Sequence, residues 1–297
     1  MRAVRIADII RGAILTAVAA LLSSCGEGVL DPQGPIGSAE LTILYNATVI
    51  MLAVIIPVIL LTMGFAWWFR AGNRRARYLP NWEYSGRIEM IVWSIPALVI
   101  VFLGGIAWIG SHDLDPPRAI ESAAAPLDVD VVSLDWKWLF IYPDQGIASV
   151  NRLVVPVGNP IRFRLTSASV MNSFFVPQLG SQIYTMPGMT TRLNLQADQP
   201  GVYKGLSAQF SGDGFSDMHF QLEAVSEPDF AAWVRATTSQ GEILDAAAYG
   251  RLAHPSKAVA PITFTRVVPG LFETISAGRA NAEYPPHQGI GADHDRQ

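Results

Sequence analysis

Two stretches of this chain hold no charged side chain: Leu41–Phe69 and Met90–Ser111. Each exceeds the roughly 20 residues that cross about 30 Å of hydrocarbon as a helix. A helix satisfies all its backbone hydrogen bonds internally, so it can span a bilayer where an open strand cannot. The runs are therefore expected to be transmembrane helices, at about 41–69 and 90–111. Pro57 and Pro96 would break soluble helices but are tolerated in membrane spans, and Trp67, Trp68, Trp93 and Trp108 stand toward the ends, as interfacial aromatics do. Between the spans Arg70, Arg74, Arg75, Arg77 and Arg87 outweigh Glu83 and Glu89, whereas Cys25–Glu40 contains no Lys or Arg. By the positive-inside rule the short loop is cytoplasmic and both ends of the mature chain lie outside.

The N-terminus reads as an address. Arg2, Arg5 and Arg11 precede the apolar run Ala13–Leu22, too short to span a bilayer, in the layout of a secretory signal. The run ends in Leu22-Ser23-Ser24-Cys25, which resembles the bacterial lipoprotein cleavage box. Residues 1–24 are thus expected to be a lipoprotein signal peptide and Cys25 the lipidated residue; the plainer reading is an ordinary signal with an incidental cysteine. Cys25 is the chain's single cysteine, which excludes an intrachain disulfide and a cysteine-built metal centre. A net charge of −4 gives no electrostatic case for nucleic acid.

Beyond Ser111 the pattern changes. Pro116, Pro117 and Ser122–Pro126 mark a linker over 112–126. Short β-rich runs then follow at Leu127–Leu134, Trp136–Tyr142, Ile161–Thr166, Phe174–Val176, Gln182–Met186, Thr190–Leu195 and His219–Ala224. Gly, Pro, Asn and Asp separate them, which predicts an all-β sandwich or barrel over 127–226. Pro228–Thr238 has helical spacing, so 227–278 reads as a helical and aromatic C-terminal arm. The polar remainder, 279–297, reads as a disordered tail, in which His287 and His294 are taken as solvated rather than as a metal site.

Glu89 stands at the cytoplasmic mouth of the second span. It is either a carboxylate favoured by the positive end of the helix dipole or a proton-path residue, since ionisable groups at membrane depth often mark such paths.

Several strings then resemble one family. Asp135-Trp136-Lys137-Trp138-Leu139-Phe140-Ile141-Tyr142-Pro143, Val170–Pro177, Gly180–Tyr184, Ser207–Gly212 and, at the membrane, Glu89–Pro96 are similar to subunit II of the haem–copper oxidases, specifically the bo-type quinol oxidases. The likeness runs from about Cys25 to Arg251. It implies a two-helix transmembrane hairpin followed by a cupredoxin-like Greek-key β-barrel on the outer, periplasmic side of the bacterial inner membrane. In cytochrome c-oxidising relatives that barrel holds a dinuclear copper. Carried over residue by residue, its His and Cys positions fall on Asn172, Ser207, Ser211 and Phe215, its acidic position falls on Gln209, and only Met218 is retained.

Such a copper pair needs soft thiolates and imidazoles. Serine hydroxyls, Asn and Phe do not replace them, and one thioether is too weak alone. The resemblance therefore implies a subunit with no metal or other cofactor of its own and no catalytic residue, within a proton-pumping enzyme that oxidises ubiquinol and reduces oxygen to water. Haems and copper are expected in subunit I. The expected partners are subunit I, smaller membrane subunits and the bilayer, with no cytochrome c. The role implied for this chain is structural, with Glu89 as a proton-uptake residue. Trp136 and Trp138 are expected to pack against the membrane-facing subunit. Two other readings are a copper-bearing cytochrome c-oxidase subunit and a non-oxidase lipoprotein using the barrel as a binding module.

Overall fold

The computed structural model describes residues 28–77 and 79–279. Cys25, the signal segment and the tail histidines lie outside the described residues. The described residues divide into a membrane-type unit, Ala39–Asp115, and a β unit formed by the others.

Helix α1 spans Pro35–Trp68 and α2 spans Gly86–Asp113. Both are long and apolar enough to cross a membrane, and each begins before its uncharged run. Pro57 and Pro96 sit inside them. At the outer end of the pair, a Cβ on Gly110 of α2 would come within 2.7 Å of the Ile43 side chain on α1, so the helices approach closely there.

In the β unit, β1 (Leu127–Leu134), β2 (Lys137–Tyr142), β3 (Ile147–Val150), β5 (Ile161–Ser167) and β8 (Thr191–Leu195) form one sheet with β11 (Glu242–Leu244) and β12 (Ile262–Val267), in the order β11-β12-β3-β2-β1-β5-β8. The second sheet holds β4 (Arg152–Pro156), β10 (His219–Val225), β9 (Gly201–Ser207), β6 (Asn172–Phe175) and β7 (Ile183–Thr185), in that order. This is the expected β domain, laid out as a two-sheet sandwich. The strands β3, β4, β9, β11 and β12 were not foreseen.

The middle of the first sheet, β1 to β3, is buried on both faces. One face meets the second sheet in a core that includes Val129, Val131, Trp138, Phe140, Phe174 and Phe220. The other carries Val132, Leu134, Leu139, Ile141 and Val150, which pack on Leu244, Tyr249, Leu252, Phe264 and Phe272. This is why β1 and β2 read as unbroken apolar runs rather than alternating ones. Residues 227–278 therefore do more than form an arm. Two of their strands extend the sheet, while α3 (Glu227–Ser239), α4 (Ala246–Ala253) and α5 (Leu271–Ser276) lie among them. Ser226 caps α3 and Asp245 caps α4 through their side chains, as such residues do for the open N–H groups of a first turn.

Both ends of the β unit's chain path are tied down. Gln33 N–H donates to the Gln178 carbonyl at 2.7 Å, and Asp198 N–H donates to the Gln33 carbonyl at 2.8 Å. Gly34 fits only because it lacks a side chain, since a Cβ there would fall on the Gln196 carbonyl oxygen. The linker is pinned as well: Asn194 donates from its backbone to the Pro116 carbonyl at 2.9 Å and from its side chain to the Arg118 carbonyl at 3.0 Å.

A hydrogen-bonded candidate site at the end of the sandwich

Asn172 opens β6 and Ser207 closes β9; antiparallel pairing of these strands sets Phe174 opposite Ser207 and brings the two positions together. Both side chains are buried. The Ser207 hydroxyl lies 3.2 Å from Asn172 Oδ1 and 3.2 Å from the Gln209 carbonyl, and its single proton can serve one at a time. Asn172 Nδ2–H donates to the Val170 carbonyl at 3.2 Å. The Ser207 N–H donates to the Met218 carbonyl at 3.0 Å, tying this group to the far side of the loop. There the Ser211 hydroxyl rests 3.9 Å from the buried Met218 sulfur. Phe215, on a short 3-10 turn (Phe215–Asp217), turns its ring onto Phe210 at 5.6 Å.

The structure thus gathers Asn172, Ser207, Gln209, Ser211 and Met218 into one bonded patch, with Phe215 beside it. All are neutral, and Gln209 takes part through its backbone carbonyl. Among the described residues no group of three or more His, Cys, Asp or Glu side chains is placed to hold a metal.

Trp136 covers this loop. It has a positive φ of 65°, rare for a bulky residue, in the two-residue turn between β1 and β2. Its indole N–H donates to the Ser211 carbonyl at 3.0 Å. Gly214 lies under the ring, where any Cβ would collide with the indole. The Lys257 ammonium stands 5.6 Å from the ring centre.

Trp138 is placed differently from expectation. It is fully buried in the sandwich core, 5.4 Å from Phe174 and 5.8 Å from Phe220. It has no surface to offer a neighbouring subunit, so the expectation that it packs against one is corrected. Only Trp136 remains at the rim.

Reading from sequence also missed Lys137. Its ammonium donates to the carbonyls of Asp135 at 3.2 Å and His254 at 2.7 Å, and to the Ser256 hydroxyl at 2.6 Å. Burial pulls it down to about 8, against the opposing attraction of the Asp135 carboxylate. These contacts clamp the C-terminal segment to the turn that carries Trp136. No local signal announces the contacts to His254 and Ser256, because those partners lie more than a hundred residues along the chain.

Glu89 lies in the first turn of α2, exposed, with its N–H donating to the Ser85 carbonyl at 3.0 Å.

Residues 144–225, from the end of β2 through β10, match the family model "Cytochrome C oxidase subunit II, periplasmic domain". The chain is 52% identical over 262 residues to ubiquinol oxidase subunit 2 of Acetobacter aceti, covering 87% of this chain and 85% of that one. The chain belongs to the ubiquinol oxidase subunit 2 family. It is also 45% identical over 292 residues to cytochrome bo(3) ubiquinol oxidase subunit 2 of Pseudomonas aeruginosa, covering 95% of this chain and 88% of that one. A quinol oxidase subunit 2 of Bacillus cereus is 35% identical, covering 80% of this chain and 81% of that one. For a member of the ubiquinol oxidase subunit 2 family, the expected architecture of two apolar helices and a cupredoxin-like β domain is in place.

Proposed function

We propose that this chain is the copper-free, structural subunit II of a proton-pumping ubiquinol oxidase, with electrons entering at subunit I and not through its β domain. The observation that carries the reading is the bonded Asn172–Ser207–Gln209 group, with Ser211 on Met218 and Phe215 on Phe210. Carboxamide, hydroxyl and phenyl groups offer copper no thiolate or imidazole. The Asn172 carboxamide and the Ser207 hydroxyl are already hydrogen-bonded, to each other and to the Val170 and Gln209 carbonyls. Haems and copper then belong to subunit I. The exposed apolar side chains near this end, Val170, Met171 and Phe210, suit a protein neighbour, and subunit I is the one assigned, with smaller subunits around the helices. The two spans and the arginine asymmetry support an inner-membrane location, with the β domain in the periplasm and the loop 69–85 in the cytoplasm. Glu89, at that cytoplasmic end, is assigned to proton uptake.

The test is copper content. The purified full-length chain, incubated with copper and dialysed, is expected to retain none and to show no dinuclear-copper spin-resonance signal. Such a signal from the parent chain would sink the reading. Asn172→His, Ser207→Cys, Ser211→Cys and Phe215→His combined are expected to introduce copper binding if the strand geometry at this end is kept.

Cys25 is assigned as the lipidated N-terminus of the mature chain. Cys25→Ser is expected to abolish labelling by a radioactive fatty acid while the chain stays in the membrane fraction, because two spans already anchor it. Release into the soluble fraction would contradict the two-span assignment.

A further inference from the structure

The loop joining α1 to α2 concentrates cations that have no counter-ion. Arg70, Arg74, Arg75, Arg77 and Arg87 are all exposed. Among the described residues none of them forms an ion pair. In the β unit, by contrast, Arg152, Arg162, Arg164 and Arg251 each hold a carboxylate. Glu83 and Glu89 leave the loop positive, and Arg87 lies in the first turn of α2, where the helix dipole already disfavours a cation.

The loop is locally ordered in a way that displays these charges. Asn73 Nδ2–H donates to the Trp68 carbonyl at 2.6 Å, and its Oδ1 accepts from the Arg75 N–H at 3.1 Å. This turn closes α1 and puts Arg74 and Arg75 side by side just beyond it. Arg70 stacks 4.9 Å over the Trp67 ring and donates to the Trp67 carbonyl at 3.1 Å. Exposed apolar side chains stand among the arginines: Trp67, Trp68, Phe69, Leu79, Trp82 and Tyr84. Trp67 and Trp68 belong to the aromatic belt that spans commonly carry, but a loop serving only to set topology needs the arginines and not the further apolar groups Leu79, Trp82 and Tyr84. Guanidinium groups beside interfacial aromatics suit the boundary where lipid phosphates meet acyl chains, and the planar guanidinium fork matches phosphate oxygens two at a time.

We propose that this loop is a binding surface for anionic phospholipid of the cytoplasmic leaflet, its arginines engaging the headgroup phosphates and Trp67, Trp68 and Trp82 seated at the headgroup level. The assignment rests on the inner-membrane placement given above. It is tested on the whole complex, exchanged into phosphatidylcholine nanodiscs containing a minor fraction of cardiolipin, with the lipid retained after detergent extraction counted by mass spectrometry.

The parent is expected to retain cardiolipin in preference to phosphatidylcholine. Arg74→Gln, Arg75→Gln and Arg77→Gln combined should reduce that preference by about fivefold per charge removed, and the same three positions changed to Lys should keep most of it. High salt should weaken the preference. A triple Gln variant with the parent's lipid ratio overturns the assignment. So does a triple Gln variant that no longer assembles, since the arginines would then hold a protein. Haem content is read in the same samples: a parent chain purified without a haem-bearing partner would contradict the proposed function, and the lipid ratio would still be read on that chain.

Discussion

Trp138→Ala is expected to destabilise the β domain by about 3–5 kcal/mol, the range for emptying a large buried aromatic site. The indole is fully buried and meets Phe174 edge-on at 5.4 Å and Phe220 at 5.8 Å, while those two rings stack on each other at 5.1 Å. Phe140 packs 5.1 Å from Phe220 in the same cluster. Both sheets contribute to it, through β2 on one side and β6 and β10 on the other, so neighbouring backbone cannot collapse into the vacancy without shifting paired strands. For a domain of this size the loss corresponds to a midpoint lowered by roughly 10 °C. Trp138→Phe keeps a ring in the cluster and is expected to lose well under half as much. Thermal unfolding of the chain in detergent, followed by near-ultraviolet circular dichroism, checks both. A Trp138→Ala midpoint within a degree or two of the parent would mean that this ring is not the centre of the sandwich core.

Glu89→Ala is expected to slow quinol-oxidase turnover by about tenfold or more, below the roughly hundredfold for a group that transfers a proton at the reacting centre because water can still deliver protons to the path, while haem content and subunit yield stay at the parent level. A carboxylate at the cytoplasmic start of α2 can collect protons from bulk water and hand them inward. The competing account is that Glu89 only stabilises the helix start. Magnitude separates the two, because a first-turn acid contributes about 0.3–1 kcal/mol to its helix. That is too little to unmake a long apolar helix, and it predicts normal turnover per assembled complex. Glu89→Asp should retain part of the rate, since the acid survives on a shorter stem. Oxygen consumption per haem, measured on purified complex, decides the matter. Unchanged turnover in an intact Glu89→Ala complex would leave this chain a purely structural role.

The two tryptophans show where reading along the chain stops. Positions 136 and 138 are two apart, so strand alternation would set them on one face. Trp136 instead occupies the turn at φ 65°, and the alternation begins only at Lys137. A bulky residue in a turn carries no local signature. The missed strands have similar causes. In residues 147–156 Ser149, Asn151 and Arg152 interrupt the apolar side chains, and Asn151, at φ 56°, divides the stretch into β3 and β4. Gly201 and Gly205 weaken the strand signal of β9, yet Gly205 is what lets the Phe220 ring lie against the strand, where any Cβ would strike it.

From sequence alone the two spans follow, because an uncharged run long enough for a bilayer has few other fates in water, and arginine asymmetry then orients them. That Asn172, Ser207, Ser211 and Phe215 stand at copper-ligand positions was implied by the resemblance and by no local pattern; that such side chains are poor copper donors follows from residue type alone. Only the tertiary structure decided that Ser207 bonds to Asn172 while Ser211 rests on Met218 and Phe215 on Phe210, that Trp138 is core and Trp136 is cover, and that β12 pairs with β3 so that residues 227–278 build a second hydrophobic layer. Those outcomes depend on contacts between residues distant along the chain. A local pattern states which surfaces are apolar, and the closed fold determines what each of them meets.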